Sequence, residues 1–160
     1  MSQLSIGSQA PDFELPDING LSHRLSDAIG RGPVRLVFYK SSCPTCEFTF
    51  PYIQRMFSRV GKTAGWTLWG ISEDDAAETR AFGQRLGVGF DLVIDEHPYA
   101  VSAAYGLEFV PAMFLIQEDG TISVSESGFT NAGLNQFAGF EFFTAADGLP
   151  AWRPGCRSKN

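Results

Sequence analysis

A strand-like run joined to a helix-like stripe through two cysteines constrains the fold more than any other feature. Residues 34–39 form an uninterrupted, mostly apolar run with the length of a buried strand. Farther on, apolar residues recur at steps of three and four positions, which is one face of a helix: Cys46, Phe50, Ile53, Phe57 and Val60. The tetrapeptide Cys43-Pro44-Thr45-Cys46 lies between the two. The spacing predicts a strand–turn–helix unit, with a helix over residues 44–60 and two thiols one helical turn apart.

The helical stripe assigns different positions to the two cysteines. Cys46 belongs to the buried face, whereas Cys43 stands at the start of the helix, where a side chain can stay exposed. Pro44 suits the first helical position, because its missing N–H would be unpaired there in any residue. Backbone N–H groups at a helix N-terminus stabilise a thiolate, which is the nucleophile of disulfide exchange. We therefore expect Cys43 to attack and Cys46 to resolve.

Two neighbours are candidates to support this pair. The backbone N–H of Thr45 lies in the first turn of the predicted helix, where it can donate to the Cys43 sulfur and stabilise the thiolate. Lys40 brings a cation close to Cys43 in sequence, which would lower the pKa of that thiol. The alternative for Lys40 is a solvated charge at the end of the strand.

The third cysteine, Cys156, lies in a polar segment that contains proline and glycine. Its neighbours give it neither a helix terminus nor the spacing of a second cysteine pair. We therefore expect a free thiol that the chemistry of the pair does not require. The alternative is a third redox partner, since an extended segment of this length can reach across a small domain.

The rest of the chain alternates strand-like and helix-like segments. Two short extended pieces flank an Asn-Gly turn within residues 12–24, which predicts a hairpin. Further strands are predicted at 66–72, 90–94, 112–116 and 121–125, and further helices at 74–86, 98–105 and 131–146. This alternation predicts an α/β fold with right-handed crossovers and an antiparallel final hairpin. We expect one domain over residues 1–146 and a C-terminal tail over residues 147–160.

The charge and the N-terminal sequence indicate which partners and which cellular location to expect. The chain has 160 residues, a net charge of −6 and no basic run, which disfavours nucleic acid and anionic membrane surfaces as partners. The N-terminus has neither the basic nor the apolar region of a signal peptide, so we expect a cytoplasmic protein. A structural zinc site needs four ligands. Cys156, His23 and His97 show no second paired spacing beside the dithiol, so no metal is expected.

Several motifs outside the dithiol point to one superfamily when taken together. They are an Ala-Pro-x-Phe-x-Leu opening at residues 10–15, the strand and turn of residues 38–46, Pro51 after the second cysteine, the pair Val110-Pro111, and a Glu-Asp-Gly turn at residues 118–120. On these residues the chain resembles the thioredoxin-like superfamily, in its redoxin and TlpA-like branch, which is related to the AhpC/TSA peroxiredoxins. The resemblance covers about residues 7–145.

The resemblance implies a fold and an activity. The fold is a thioredoxin-like three-layer sandwich, in which helices flank a central mixed sheet, with an N-terminal β-hairpin and an inserted α/β unit. The activity is thiol–disulfide exchange on protein or small disulfides, with a separate thiol reductant and no metal or organic cofactor. Val110-Pro111 matches the loop that carries the superfamily's cis-proline, so Pro111 is expected to shape the groove for a substrate backbone.

Departures from the superfamily patterns keep two other readings open. Val37 and Thr49 stand where relatives carry a buried carboxylate beside the dithiol. Leu36 and Lys40 stand where peroxiredoxins carry the proline and the hydroxyl residue that precede their nucleophile. One alternative is a thiol peroxidase, in which Cys43 becomes a sulfenic acid that condenses with Cys46. The other is a redox sensor that uses the dithiol as a switch without turnover.

Overall fold

The computed structural model describes residues 2–160, and its elements are numbered here in chain order. The strands are β1 (Glu14–Pro16), β2 (Ser22–Arg24), β3 (Val34–Tyr39), β4 (Thr67–Ser72), β5 (Asp91–Ile94), β6 (Phe109–Val110), β7 (Ala112–Ile116), β8 (Ile122–Ser127), β9 (Phe129–Thr130), β10 (Trp152–Arg153) and β11 (Cys156–Arg157). The helices are α1 (Leu25–Ile29), α2 (Pro44–Met56), α3 (Lys62–Ala64), α4 (Ala76–Leu86), α5 (Ala100–Ala104) and α6 (Asn131–Ala138). A π-helical turn over Phe57–Gly61 joins α2 to α3, and a 3₁₀ turn covers Ala145–Asp147.

A five-stranded mixed sheet forms the centre of the fold, in the order β5-β4-β3-β7-β8. Strands β3, β4 and β5 run parallel, while β7 is antiparallel to β3 and β8 is antiparallel to β7. All residues of β3 are buried, as expected for a central strand that is covered on both faces. The α/β class, the mixed sheet and the N-terminal hairpin formed by β1 and β2 are therefore confirmed.

Aromatic side chains fill the core on both faces of β3. Tyr39 packs on Phe50 of α2 and Phe82 of α4, with ring centroids 4.5 and 4.6 Å away. Phe38, the preceding residue, points to the other face and packs on Tyr105 and Phe114 at 5.3 and 5.7 Å. Successive side chains of a strand alternate between its faces, so two adjacent residues contribute to the core on opposite faces of the sheet.

Helix α2 begins where the sequence predicts and continues differently toward its end. The buried face includes Cys46, Phe50 and Ile53, all 0% exposed. Pro51 lies inside the helix. Beyond Met56 the chain keeps a helical path through the π turn and α3. The buried face ends on Met56, so Phe57 is only half-buried, although the sequence places it on the core face, and its ring packs on Phe90 at 5.7 Å.

The C-terminal segment, defined here as residues 147–160, returns to the body of the protein. Strand β10 pairs with β9, and β11 pairs with β6 next to the dithiol. Cys156 is a free thiol, as expected, but the segment that carries it is not an unattached tail, because Cys156 is part of a strand pairing. Within residues 2–160, no helix combines the length and apolar character that crossing a bilayer requires.

Candidate active site

Cys43 lies at the junction of β3 and α2 and caps the helix. Its backbone is extended, and its N–H donates to the carbonyl of Lys40 at 3.3 Å. Pro44 occupies the first helical position, as predicted from the sequence. The backbone N–H of Cys46 donates to the Cys43 sulfur at 3.1 Å. The sulfur therefore takes the role of a capping oxygen and faces the positive end of the helix dipole.

Both thiols of the pair are buried. Cys46 is 0% exposed on the core face of α2, as its position in the stripe predicts. Cys43 is also 0% exposed, so the expectation that its side chain stays open to solvent is wrong for this conformation. The reason is that β6 and the C-terminal segment both pack at this end of the helix: the Val110 carbonyl lies 3.5 Å from the sulfur, and the segment runs past Cys43 along β6 and is tied to the first turn of α2.

The two thiols have opposite acidities. A hydrogen bond from the Cys46 thiol is the main contact that lowers the pKa of Cys43 to about 6, and burial opposes this shift. The Cys156 thiol and the backbone N–H groups of Cys46 and Thr45 contribute in the same direction as the main contact. Burial, reinforced by the neighbouring Cys43 sulfur, raises the pKa of Cys46 well above its ordinary value. At neutral pH the pair therefore combines a thiolate at Cys43 with a protonated thiol at Cys46.

The loop that carries Val110 and Pro111 lies next to the Cys43 sulfur. The peptide bond between Val110 and Pro111 is cis, as the resemblance implies. The carbonyl oxygen of Val110 lies 3.5 Å from the Cys43 sulfur, and the carbonyl of Pro111 accepts from the N–H of Gly128 at 2.8 Å. Strand β6 is thereby held beside the first turn of α2, with Val110 directly at the reactive sulfur.

Thr45 and Lys40 both contact the C-terminal segment. The backbone N–H of Thr45 helps to lower the pKa of Cys43, as the sequence suggests, and its hydroxyl donates to the carbonyl of Pro154 at 2.6 Å. The ammonium group of Lys40 donates to the carbonyl of Arg157. The structure thus gives Lys40 a third role, beyond the cation and the solvated charge considered from the sequence: it holds the segment that covers Cys43.

Two buried carboxylates beside the dithiol were not identified from the sequence. Glu73 and Asp74 follow β4 and are 1% and 6% exposed. Asp74 accepts from the N–H of Ser41 at 2.7 Å and from the ammonium of Lys159 at 2.7 Å, and Glu73 accepts from the N–H of Lys159 at 2.9 Å. The available signal was that β3 and β4 are parallel neighbours, whose carboxyl ends meet at one edge of the sheet. Residues that follow β4 therefore belong near the dithiol that follows β3.

The hydroxyl of Thr49 makes a hydrogen bond within its own helix. Thr49, at the position for which the resemblance suggests a carboxylate, is 0% exposed, and its hydroxyl donates to the carbonyl of Thr45 at 2.6 Å. That hydroxyl is therefore used inside α2.

Across residues 2–160, no group of three or more His, Cys, Asp and Glu side chains is arranged to hold a metal ion.

Comparison with known proteins places this site in a family. The model of the AhpC/TSA family matches residues 6–125. The thiol-disulfide oxidoreductase ResA of Geobacillus thermodenitrificans is 34% identical over 119 residues, which cover 74% of this chain and 67% of that protein.

Solved structures give the same fold. A Bacteroides thetaiotaomicron protein provisionally described as a protein disulfide isomerase superposes with a TM-score of 0.78 at 25% identity, covering 87% of this chain and 91% of that one. Peroxidoxin BcpB of Mycobacterium tuberculosis superposes with a TM-score of 0.73 at 23% identity, covering 87% of this chain and 96% of that one. With its thioredoxin-like sheet, its dithiol at a helix N-terminus and the match over residues 6–125, the chain belongs to the AhpC/TSA family.

Proposed function

We propose that this protein is a thiol–disulfide oxidoreductase in which Cys43 attacks a substrate disulfide and Cys46 releases the product. The observation that carries the proposal is the contrast between the two thiols. Cys43 caps α2, receives the N–H of Cys46 and has a pKa of about 6, whereas the pKa of the deeply buried Cys46 is raised. A thiolate next to a protonated thiol is the arrangement that separates attack from resolution.

The reaction proceeds in two exchanges that conserve atoms and electrons. The Cys43 thiolate attacks one sulfur of the substrate disulfide, forms a mixed disulfide and expels the other substrate sulfur as a thiolate, which takes up a proton. Cys46 then loses its proton and attacks the Cys43 sulfur, which releases the second substrate thiol. The substrate gains two electrons and two protons, and the protein retains a Cys43–Cys46 disulfide.

The surroundings of Cys43 suggest how a substrate chain is held. The carbonyl of Val110 lies beside the reactive sulfur, and the backbone edge of β6 accepts an antiparallel strand, since β11 occupies it in this conformation. An extended peptide that pairs with this edge would bring its own sulfur to Cys43. Pro111 follows directly and ends this edge.

The implied partners are a disulfide-containing protein or peptide and a thiol reductant that regenerates the dithiol. The name of the ResA relative, a thiol-disulfide oxidoreductase, agrees with this reaction class. The location in the cytoplasm stays a prediction from the sequence.

Trapping of the mixed disulfide tests the assignment of roles. Both variants are prepared with Cys156→Ser, so that the third thiol can neither release nor form the complex; the reduced proteins are incubated with insulin, and non-reducing electrophoresis is used to detect a covalent complex. We expect the protein with Cys46→Ser and Cys156→Ser to accumulate the complex and the protein with Cys43→Ser and Cys156→Ser to accumulate none, because only Cys43 is a thiolate at neutral pH. Equal trapping by both variants would contradict the assignment.

Turnover distinguishes the proposed reaction from the peroxidase alternative. Wild-type protein is supplied with a thiol reductant and, in separate assays, with insulin or hydrogen peroxide. We expect insulin reduction above the rate of the reductant alone, and loss of this increment in Cys43→Ser. Consumption of peroxide without reduction of insulin would overturn the proposal in favour of the thiol peroxidase.

A further inference from the structure

The C-terminal segment lies along β6 as an additional antiparallel strand. Cys156 stands opposite Val110, and Arg157 stands opposite Phe109. The pairing extends through Ser158, whose N–H donates to the carbonyl of Glu108 at 3.0 Å. The segment therefore occupies the edge that an extended substrate would use, and its cysteine has the position that a substrate sulfur would need.

Side-chain contacts fix the segment before and after Cys156. On the N-terminal side, the guanidinium of Arg153 lies 4.2 Å from the ring centre of Phe48, and the carbonyl of Pro154 accepts from the hydroxyl of Thr45. On the C-terminal side, Lys159 binds the buried carboxylate of Asp74 at 2.7 Å. These contacts join the segment to α2 and to the loop after β4, the two elements that flank the dithiol.

Gly155 allows the backbone to approach this closely. A Cβ atom at this position would lie 2.7 Å from the carbonyl oxygen of Val110 and 3.2 Å from the Cβ of Phe109. No side chain fits there without moving the segment away from β6. The residue before Cys156 is thus the one whose small size sets the distance between the segment and the dithiol.

The result is a third thiol at the reactive sulfur. The Cys156 thiol stabilises the Cys43 thiolate, and the same contact, after burial, raises the pKa of Cys156 itself. Cys156 is only half-buried, in contrast to Cys46. Cys43 is therefore approached by one thiol from its own helix and by another from the substrate edge.

We propose that Cys156 is a third redox-active residue, which forms a disulfide with Cys43 while the C-terminal segment lies in the substrate groove. This inference rests on the proposed role of Cys43 as the nucleophile. The strand register, the anchors on both sides of Cys156 and the close approach at Gly155 support it together.

The exchange balances without a further reactant. When Cys43 carries a mixed disulfide with a small thiol, Cys156 loses its proton and attacks the Cys43 sulfur, and the small thiol leaves as a thiolate that takes up a proton. When Cys43 is joined to Cys46, the same attack forms the Cys43–Cys156 bond and returns Cys46 to the thiol. This second exchange transfers no net electrons, so the oxidised protein partitions between two internal disulfides.

A Cys43–Cys156 disulfide would change how a substrate chain reaches the groove beside Cys43. In the reduced protein the segment is held by hydrogen bonds and ion pairs, which can break to admit a substrate. With Cys156 bonded to Cys43, the segment is tied covalently across the groove. Reduction of that bond then has to precede the binding of the next substrate chain.

Intact-mass spectrometry after exposure to oxidised glutathione tests the proposal. Reduced Cys46→Ser protein is mixed with oxidised glutathione, quenched in acid and weighed over time. We expect a short-lived glutathione adduct that converts to an internal disulfide, two hydrogens lighter than the reduced protein. The variant that also carries Cys156→Ser should keep its glutathione adduct, which provides the reference.

The variant Cys46→Ser with Gly155→Ala provides the matched control for docking. It retains both thiols but loses the close approach, so the internal disulfide should form at least about tenfold more slowly, because the effective concentration of Cys156 falls. Cys46→Ser with Lys159→Ala loosens the same segment without adding a side chain and should slow the reaction in the same direction. An unchanged rate in both loosened variants would overturn the proposal.

A parallel sample of Cys156→Ser separates this inference from the proposed function. This variant should form the Cys43–Cys46 disulfide under the same conditions. If it does so while Cys46→Ser keeps a stable glutathione adduct, the inference is overturned and the proposed function stands. If Cys156→Ser keeps the adduct instead, the resolving role of Cys46 is wrong, and the Cys46→Ser result decides the role of Cys156 alone.

Discussion

The two thiols next to Cys43, those of Cys46 and Cys156, are held in place by different parts of the structure. Cys46 comes from the next turn of α2, so the geometry of a buried helix fixes its distance from Cys43. Cys156 comes from the end of the chain, and a two-residue strand with a few side-chain anchors positions it. The first thiol leaves only if α2 unfolds, whereas the second leaves when a short exposed segment opens. The Cys43 sulfur thus has one fixed neighbour, Cys46, and one that can move away, Cys156.

The largest effect on Cys43 is expected from a variant that displaces Cys156 together with the C-terminal segment. Gly155→Ala places a methyl group against the Val110 carbonyl and should release the segment from β6. Because Cys43 is 0% exposed with the segment docked and the segment lies along β6 beside it, we expect its release to let iodoacetamide label Cys43 at least about tenfold faster, a change of about 1.4 kcal/mol or more.

Gly148→Asn is the control for that variant. Gly148 lies in the same segment with φ +67°, a Cβ there meets nothing within 4 Å, and asparagine tolerates this left-handed conformation. The labelling rate of Cys43 should therefore stay close to that of the wild type. Equal acceleration in both variants would mean that disorder of the segment, and not the close approach at Gly155, controls access.

Removing the Cys156 thiol should raise the pKa of Cys43. That thiol donates toward the thiolate, so its loss in Cys156→Ala destabilises the charged form and moves the pKa upward from about 6. The fraction of thiolate near pH 6 then falls. The measurement is the pH midpoint of Cys43 alkylation. Cys156→Ser keeps a hydroxyl donor and should keep a midpoint closer to the wild-type value; identical midpoints for Ala and Ser would refute the contact.

The smallest effect is expected from the anchor at the end of the chain. Lys159→Ala removes an ion pair whose ammonium side is 35% exposed and whose carboxylate side is 4% exposed. Exposure limits the loss to about 0.5–1 kcal/mol, or about a two- to fivefold increase in Cys43 labelling. Lys62→Ala, at an exposed position in α3, is the control and should leave labelling unchanged.

The part of the site that local sequence determines was predictable. The run of residues 34–39, the proline at the start of α2 and the periodic stripe are all local patterns, and they placed Cys43 and Cys46 correctly relative to the helix. The mixed sheet followed from the alternation of elements. The resemblance, rather than any local pattern, brought Val110 and Pro111 to the dithiol.

The parts that depend on distant contacts were not predictable. Cys156 pairs with Val110 beside the buried Cys43, and a strand of two residues is too short to show a periodic pattern in the sequence. The final helix ends at Ala138 although the sequence favours 131–146, because Gly139 adopts the left-handed conformation with φ +92° and caps the helix. The Asn135 side chain then binds the backbone of Phe142 and Phe143 and stabilises the loop that follows.

The asymmetry of the three thiols is the central claim, and site-resolved alkylation of the reduced wild-type protein measures it most directly. Samples are labelled with iodoacetamide across a pH series, and mass spectrometry of the digested protein reports Cys43, Cys46 and Cys156 separately. We expect labelling of Cys43 to rise with a midpoint near pH 6, while Cys46 and Cys156 react only at more alkaline pH, because their pKa values are raised. A lower midpoint for Cys46 or Cys156 than for Cys43 would contradict the account.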